Sequence, residues 1–300
     1  MAKKRDVIIT IIIIVSFLFA FGFFGLVFVG LMSGGGEIGL SGLGGNVGVI
    51  EISGIIEETS GREAIEQMDS WAENSSIKAV VIHVNSPGGG VAISQEIYDA
   101  IQRLRNEKPV VVSMASVAAS GGYLISCAAD RIVANPGTIT GSIGVIMQFY
   151  TYYGLFDKVG LGMETVKSGE LKDVGSPVKE MTDKEELMLQ SVVMDTYEQF
   201  VEVVANGRQM TKEDVYSLAD GSIFTGLQAY NLGLVDTLGG LNEAVELAAE
   251  LAELGEKPHI VRPYKRERAT IFDLFGAFLK NIDQKVENSF AGPQLLYLYQ

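Results

Sequence analysis

The chain has 300 residues, 47% of them hydrophobic and 20% charged, which excludes a largely disordered protein and supplies a core for one large domain or two modest ones. Its 23 basic against 37 acidic side chains give a net charge of −14, which argues against nucleic acid as a partner and against electrostatic docking on anionic lipid headgroups. One cysteine, Cys127, and two distant histidines, His83 and His259, offer neither an internal disulfide nor zinc-ligand spacing, so no metal or other cofactor is expected.

From Val7 to Met32 the segment VIITIIIIVSFLFAFGFFGLVFVGLM carries no charge in 26 residues. As a helix it would be about 39 Å long, enough to cross a bilayer with some tilt. It ends in Met32-Ser-Gly-Gly-Gly36 rather than at an Ala-x-Ala-like cleavage site, so an uncleaved transmembrane anchor is expected over 7–32, with the lipid bilayer as partner. Lys3, Lys4 and Arg5 precede it and no further Lys or Arg occurs before Arg62. Residues 1–6 are therefore expected in the cytoplasm and the rest of the chain outside it. Residues 33–46 are glycine-rich and read as a flexible tether.

A folded domain is expected over 47–261. Val47 to Ser53 reads as a strand, Gly61 to Glu73 as a helix, and Ile77 to Val84 as a strand apolar enough to be covered on both faces. Val91 to Asn106 has apolar residues at helical spacing, and Pro109 to Met114 is a further buried strand. Such repeated β-α-β predicts an α/β fold with a mostly parallel sheet and right-handed crossovers. Ser120 opens a helix reaching Ala129, a short strand follows over Arg131 to Ala134, and then comes the glycine-rich Asn135-Pro-Gly-Thr-Ile-Thr-Gly-Ser-Ile-Gly144. The polar segment Lys167 to Pro177 reads as a mobile link to a long helix over Thr182 to Asn206. Shorter helices are expected after Thr211, with Glu213 and Asp214 in the first turn, and over Leu241 to Leu254. The tail, 262–300, is basic at its start, amphipathic over Ile271 to Ile282 and apolar at Leu295-Leu-Tyr-Leu-Tyr299. That end could fill a peptide groove of its own or a neighbouring subunit.

Two glycine-rich turns follow buried strands. Asn85-Ser-Pro-Gly-Gly-Gly90 has no lysine at P-loop spacing and does not fit G-x-G-x-x-G. Its glycines allow close backbone approach and leave N–H groups at a helix mouth, the parts of an oxyanion hole. The second is Ser120-Gly121-Gly122. A serine at a helix start is either an N-cap or a nucleophile, and the second role needs a base. Without a suitable histidine a neutral lysine can serve, provided burial lowers its pKa from near 10.4 by roughly two to three units, about 3 to 4 kcal/mol. Lys167 and Lys172 are both candidates, and composition does not choose between them.

Ala118 to Val145, with Asn85-Ser-Pro-Gly-Gly89 before it and Ser168-Gly-Glu-Leu-Lys-Asp-Val-Gly-Ser-Pro177 after it, closely resembles the signal peptide peptidase A family, peptidase family S49 in its short single-repeat form. The resemblance covers about 47 to 255 and implies a ClpP/crotonase-type fold. It implies a membrane-anchored serine endopeptidase with a Ser-Lys dyad: Ser120 as nucleophile, Lys172 in Ser-Gly-x-x-Lys as general base, Ser142 orienting the lysine, and Gly121 with Gly88 or Gly89 as oxyanion donors. It further implies hydrophobic peptides such as signal-peptide remnants as substrates, and a homo-oligomer that builds a closed chamber. A stomatin-cleaving protease of the same class, a crotonase-like acyl-CoA enzyme and a non-catalytic membrane scaffold are the competing expectations.

Overall fold

The computed structural model describes residues 46–255, 258–263 and 295–298. The anchor expected over 7–32, most of the tether and most of the tail lie outside the described residues. Among the described residues no helix is long and apolar enough to cross a membrane.

The elements run β1 (Asn46–Ser53), α1 (Glu58–Glu73), β2 (Ile77–Ser86), β3 (Gly88–Gly90), α2 (Val91–Glu107), β4 (Val110–Ala119), α3 (Gly121–Ser126), β5 (Arg131–Ala134), β6 (Ile139–Gly141) and β7 (Ile146–Met147). They continue with α4 (Tyr153–Val159), a 3₁₀ turn (Glu170–Asp173), α5 (Asp183–Arg208), α6 (Lys212–Tyr216), β8 (Ile223–Thr225), α7 (Gly226–Asn231), β9 (Thr237–Leu238), α8 (Leu241–Leu251), β10 (His259–Val261) and β11 (Leu295–Leu298). The main sheet has the order β10-β1-β2-β4-β5-β9, parallel throughout, with β6 added parallel to β4 and β8 antiparallel to β6. A second, antiparallel sheet has the order β3-β11-β7.

The uninterrupted apolar runs are explained by cover on both faces of the main sheet. Ile50, Ile82, Val84, Val112 and Met114 pack with Met68 of α1, Ile97 and Leu104 of α2, Tyr123 of α3 and Phe200 of α5. The alternate residues Val49, Val81, Val111 and Val133 pack under Ala244, Val245 and Ala248 of α8. Gly48 is required where Trp71 crosses β1, since a Cβ there would sit 2.3 Å from the indole ring. Arg208, at the end of α5, grips Asp236 with two bonds of 2.8 and 2.9 Å, and Asp236 also accepts from the Ile132 N–H at 2.7 Å, which locks the long helix to the far edge of the sheet.

Helix starts follow the caps in the sequence: Thr182, Thr211 and Thr225 each accept from the backbone N–H three residues on. Three expectations are corrected. The strand from Pro109 runs on to Ala119, because its far end gains a partner in β6. The helix after Ser120 stops at Ser126 and continues only as turns. Part of the glycine turn over 85–90 is a strand, β3, held by Ile56.

Candidate active site

The C-terminal ends of β2, β4 and β6 lie side by side, with Ser86 opposite Ala118 and Ala119 opposite Gly141. Ser120 and Ser142 each follow one member of that last pair, so adjacent strand ends set them side by side. Both adopt the left-handed region that non-glycine residues avoid, φ +53° for Ser120 and +50° for Ser142. Ser120 is held there by its own N–H on the Gly141 carbonyl at 2.8 Å and by its carbonyl, which accepts from Tyr123 and Leu124 at 2.9 Å each. Its Oγ is fully buried and has no hydrogen-bond partner among the described residues. Ser120 occupies the N-cap position of α3 but its side chain caps nothing. The helix-start serine therefore does not play the usual capping role, and its strained backbone and unbonded hydroxyl set it apart from the other buried serines.

Two backbone N–H groups are candidates to act with it. That of Gly121 opens α3 and has no acceptor among the described residues. The other lies on β3, where Ile56 donates to the Gly88 carbonyl at 2.8 Å and accepts from the Gly90 N–H at 2.9 Å. Strand alternation then turns the N–H and carbonyl of Gly89 the opposite way, towards Tyr297, its partner on β11. The Gly88 N–H is donated to Ser86 Oγ at 3.1 Å, so of the two glycines only Gly89 presents a donor to the β11 slot. A Cβ on Gly89 would fall 2.1 Å from the Ile56 carbonyl oxygen, which explains glycine at this position. The sequence reading left Gly88 and Gly89 unresolved. Ser86 stands two residues before Gly88 in the sequence, a pattern that favours such a local hydroxyl-to-backbone bond.

Ser142 is 7% exposed and donates its N–H to the Ser222 carbonyl at 2.8 Å. Lys172 lies in the 3₁₀ turn, exposed, beside a shallow groove lined by Ser168, Glu170, Leu171 and Lys184. Within the protomer no hydrogen bond joins it to Ser120. In the segment around it Lys167 Nζ donates to the Glu170 carbonyl at 2.9 Å and to Asp173 Oδ1 at 2.6 Å. From Tyr150 to Val166 the chain exposes Tyr150, Leu155, Val159, Leu161, Met163 and Val166, and α4 buries no residue.

Of the remaining reactive groups, Cys127 is a core residue whose thiol burial pushes up to about 12. His83 is half-buried, its Nδ1 3.2 Å from Ser113 Oγ, and burial lowers its pKa. His259 lies on edge strand β10.

A buried serine held at positive φ at the ends of parallel strands in an α/β fold suits a serine hydrolase of the Clp protease class, and the Clp protease family model matches residues 46–137. Residues 102–255 match the model of peptidase family S49. A Methanocaldococcus jannaschii protein named as a protease candidate is 38% identical over 218 residues, 73% of this chain and 70% of that one. An Enterococcus faecium protein named as a candidate signal peptide peptidase is 40% identical over 191 residues, 63% of this chain and 56% of that one. The chloroplastic serine protease SPPA of Arabidopsis thaliana is 33% identical over 229 residues, 72% of this chain and 34% of that one. The chain belongs to peptidase family S49 and is a serine peptidase.

Proposed function

We propose that this serine peptidase is a membrane-anchored endopeptidase in which Lys172 activates Ser120, degrading signal-peptide remnants and other hydrophobic peptides. The observation that carries the proposal is the buried, unpartnered Ser120 Oγ in a left-handed backbone beside the Gly121 N–H. In this mechanism neutral Lys172 takes the Ser120 proton and Ser120 attacks a peptide carbonyl. The N–H groups of Gly89 and Gly121 hold the tetrahedral oxyanion, and a lysine-activated water releases the acyl group. Ser142, which follows the strand residue paired with the one before Ser120, orients the lysine amine through its hydroxyl. No metal or nucleotide enters any step.

The slot between β3 and β7 suits an extended peptide, and β11 lies in it as such a peptide would, antiparallel to both. Lys172 reaches Ser120 through assembly. The 150–181 segment that carries it exposes apolar side chains and leaves α4 without a buried face, as expected of a surface that packs against another copy. A homo-oligomer would bury those side chains, desolvate Lys172 and close the dyad. The uncharged 7–32 segment supports anchoring, with the catalytic domain outside the cytoplasm.

A fluorophosphonate probe tests the nucleophile directly. Labelling confined to the peptide containing Ser120, lost in Ser120→Ala and slowed in Lys172→Ala, is the expected result. Labelling of a different serine would overturn it.

A further inference from the structure

We infer that Lys167 and Lys179 are charge-masking and positioning residues for Lys172: they hold Asp173 so that no free carboxylate stabilises Lys172 as an ammonium ion. The inference rests on the Ser120–Lys172 mechanism above.

The 3₁₀ turn reads Glu170-Leu-Lys-Asp173, which puts the base between two acidic residues. Left alone, such neighbours favour the charged amine, the wrong state for a general base. Both carboxylates are engaged elsewhere. Glu170 pairs with Lys184, while Asp173 Oδ1 takes Lys167 Nζ at 2.6 Å and Lys179 Nζ at 3.4 Å. Lys179 also pairs with Glu185, which is 2% exposed and accepts from the Thr182 N–H at 3.0 Å at the start of α5. Lys167 Nζ donates in addition to the Glu170 carbonyl at 2.9 Å, so it grips both ends of the turn.

The three ammonium groups of Lys167, Lys179 and Lys184 balance the three carboxylates of Glu170, Asp173 and Glu185. Lys172 is left without a charged partner among the described residues. The pairs differ in weight. Glu170 and Lys184 are 66% and 63% exposed, so water and salt screen them. Asp173 is 15% exposed, and a carboxylate there, one residue from the base, would be felt. The bond from Lys167 holds the Asp173 carboxyl below its ordinary range, and the bond to Glu185 raises the Lys179 amine. Asp173 and Lys179 therefore both stay ionised through neutral pH.

The test uses the full chain with Lys167→Met, Lys167→Arg, Lys167→Met/Asp173→Asn and Asp173→Asn. Lys167→Met removes the shorter of the two contacts on Asp173 and is expected to move the acid limb of kcat/KM up by about one pH unit, about tenfold slower below the limb. Lys167→Arg keeps the wild-type limb, and adding Asp173→Asn to Lys167→Met restores it. A purely structural defect would lower the rate at every pH without moving the limb. An NMR titration of Lys172 Cε in the Ser120→Ala background reads the same shift without turnover. An unmoved limb and titration in Lys167→Met, or a shift that Asp173→Asn fails to reverse, overturns the inference. Should Lys172→Ala keep wild-type activity, the dyad fails instead, while the titration still reports whether Asp173 is masked.

Discussion

Removing β11 should raise activity by emptying the slot. Alternation along β11 turns Tyr297 towards Gly89 and Leu296 towards Ile146, and each pair exchanges two backbone hydrogen bonds. Four bonds at about 0.5 to 1.5 kcal/mol net contribute about 2 to 6 kcal/mol. Ordering four backbone residues costs about 4 to 8 kcal/mol before side-chain contacts are counted. The two terms nearly cancel, so β11 is a displaceable occupant held by little more than its tethering, an intramolecular competitor at roughly millimolar effective concentration. Deleting residues after Gly292 should lower KM for a short fluorogenic peptide by about two- to thirtyfold, a net of about 0.4 to 2 kcal/mol, and leave kcat unchanged. Adding back the peptide 293–300 should inhibit the truncated enzyme competitively. Unchanged kcat/KM after truncation, with no inhibition by the peptide, would refute the argument that β11 fills the substrate slot.

Three further outcomes are expected. Gly89→Ala places a Cβ 2.1 Å from the Ile56 carbonyl, a backbone atom with no room to yield, so kcat should fall at least about a hundredfold, as measured by steady-state kinetics on a variant checked for folding by circular dichroism. Mixing inactive Ser120→Ala and Lys172→Ala chains during assembly should recover about a quarter of wild-type activity if each site joins two copies, and none if each protomer completes its own site. The Cys127 thiol, pushed up to about 12 by burial, remains protonated through neutral pH and should resist iodoacetamide at pH 8 until the protein is unfolded, which mass spectrometry reads; rapid native labelling would contradict the packing of α3.

The strands and their two-sided burial were legible because β2 and β4 are runs of Val and Ile too short for buried helices and bounded by polar breaks. Ser120, Ser142 and the glycine turns were legible as motifs, but their relation depends on registers that join residues distant in sequence. Ala119 opposite Gly141 sets the two serines side by side, and Ile56 against Gly89 decides which N–H faces the slot. Neither contact has a local signature. Lys167 was visible as a lysine near the turn, but its ion pair with Asp173, shared with Lys179 beside the start of α5, has no local signature. The apolar end of the chain was read as a groove occupant, and its backbone pairs with β3 and β7.

The most direct test of the Ser-Lys account is the pH dependence of kcat/KM between about pH 6 and 10 for hydrolysis of a hydrophobic fluorogenic peptide by wild type, Ser120→Ala and Lys172→Ala, full-length in detergent. The account predicts that both variants fold and lose activity by several orders of magnitude, and that the wild-type rate rises through a pKa well below that of free lysine. Retention of the wild-type rate by Lys172→Ala would contradict it.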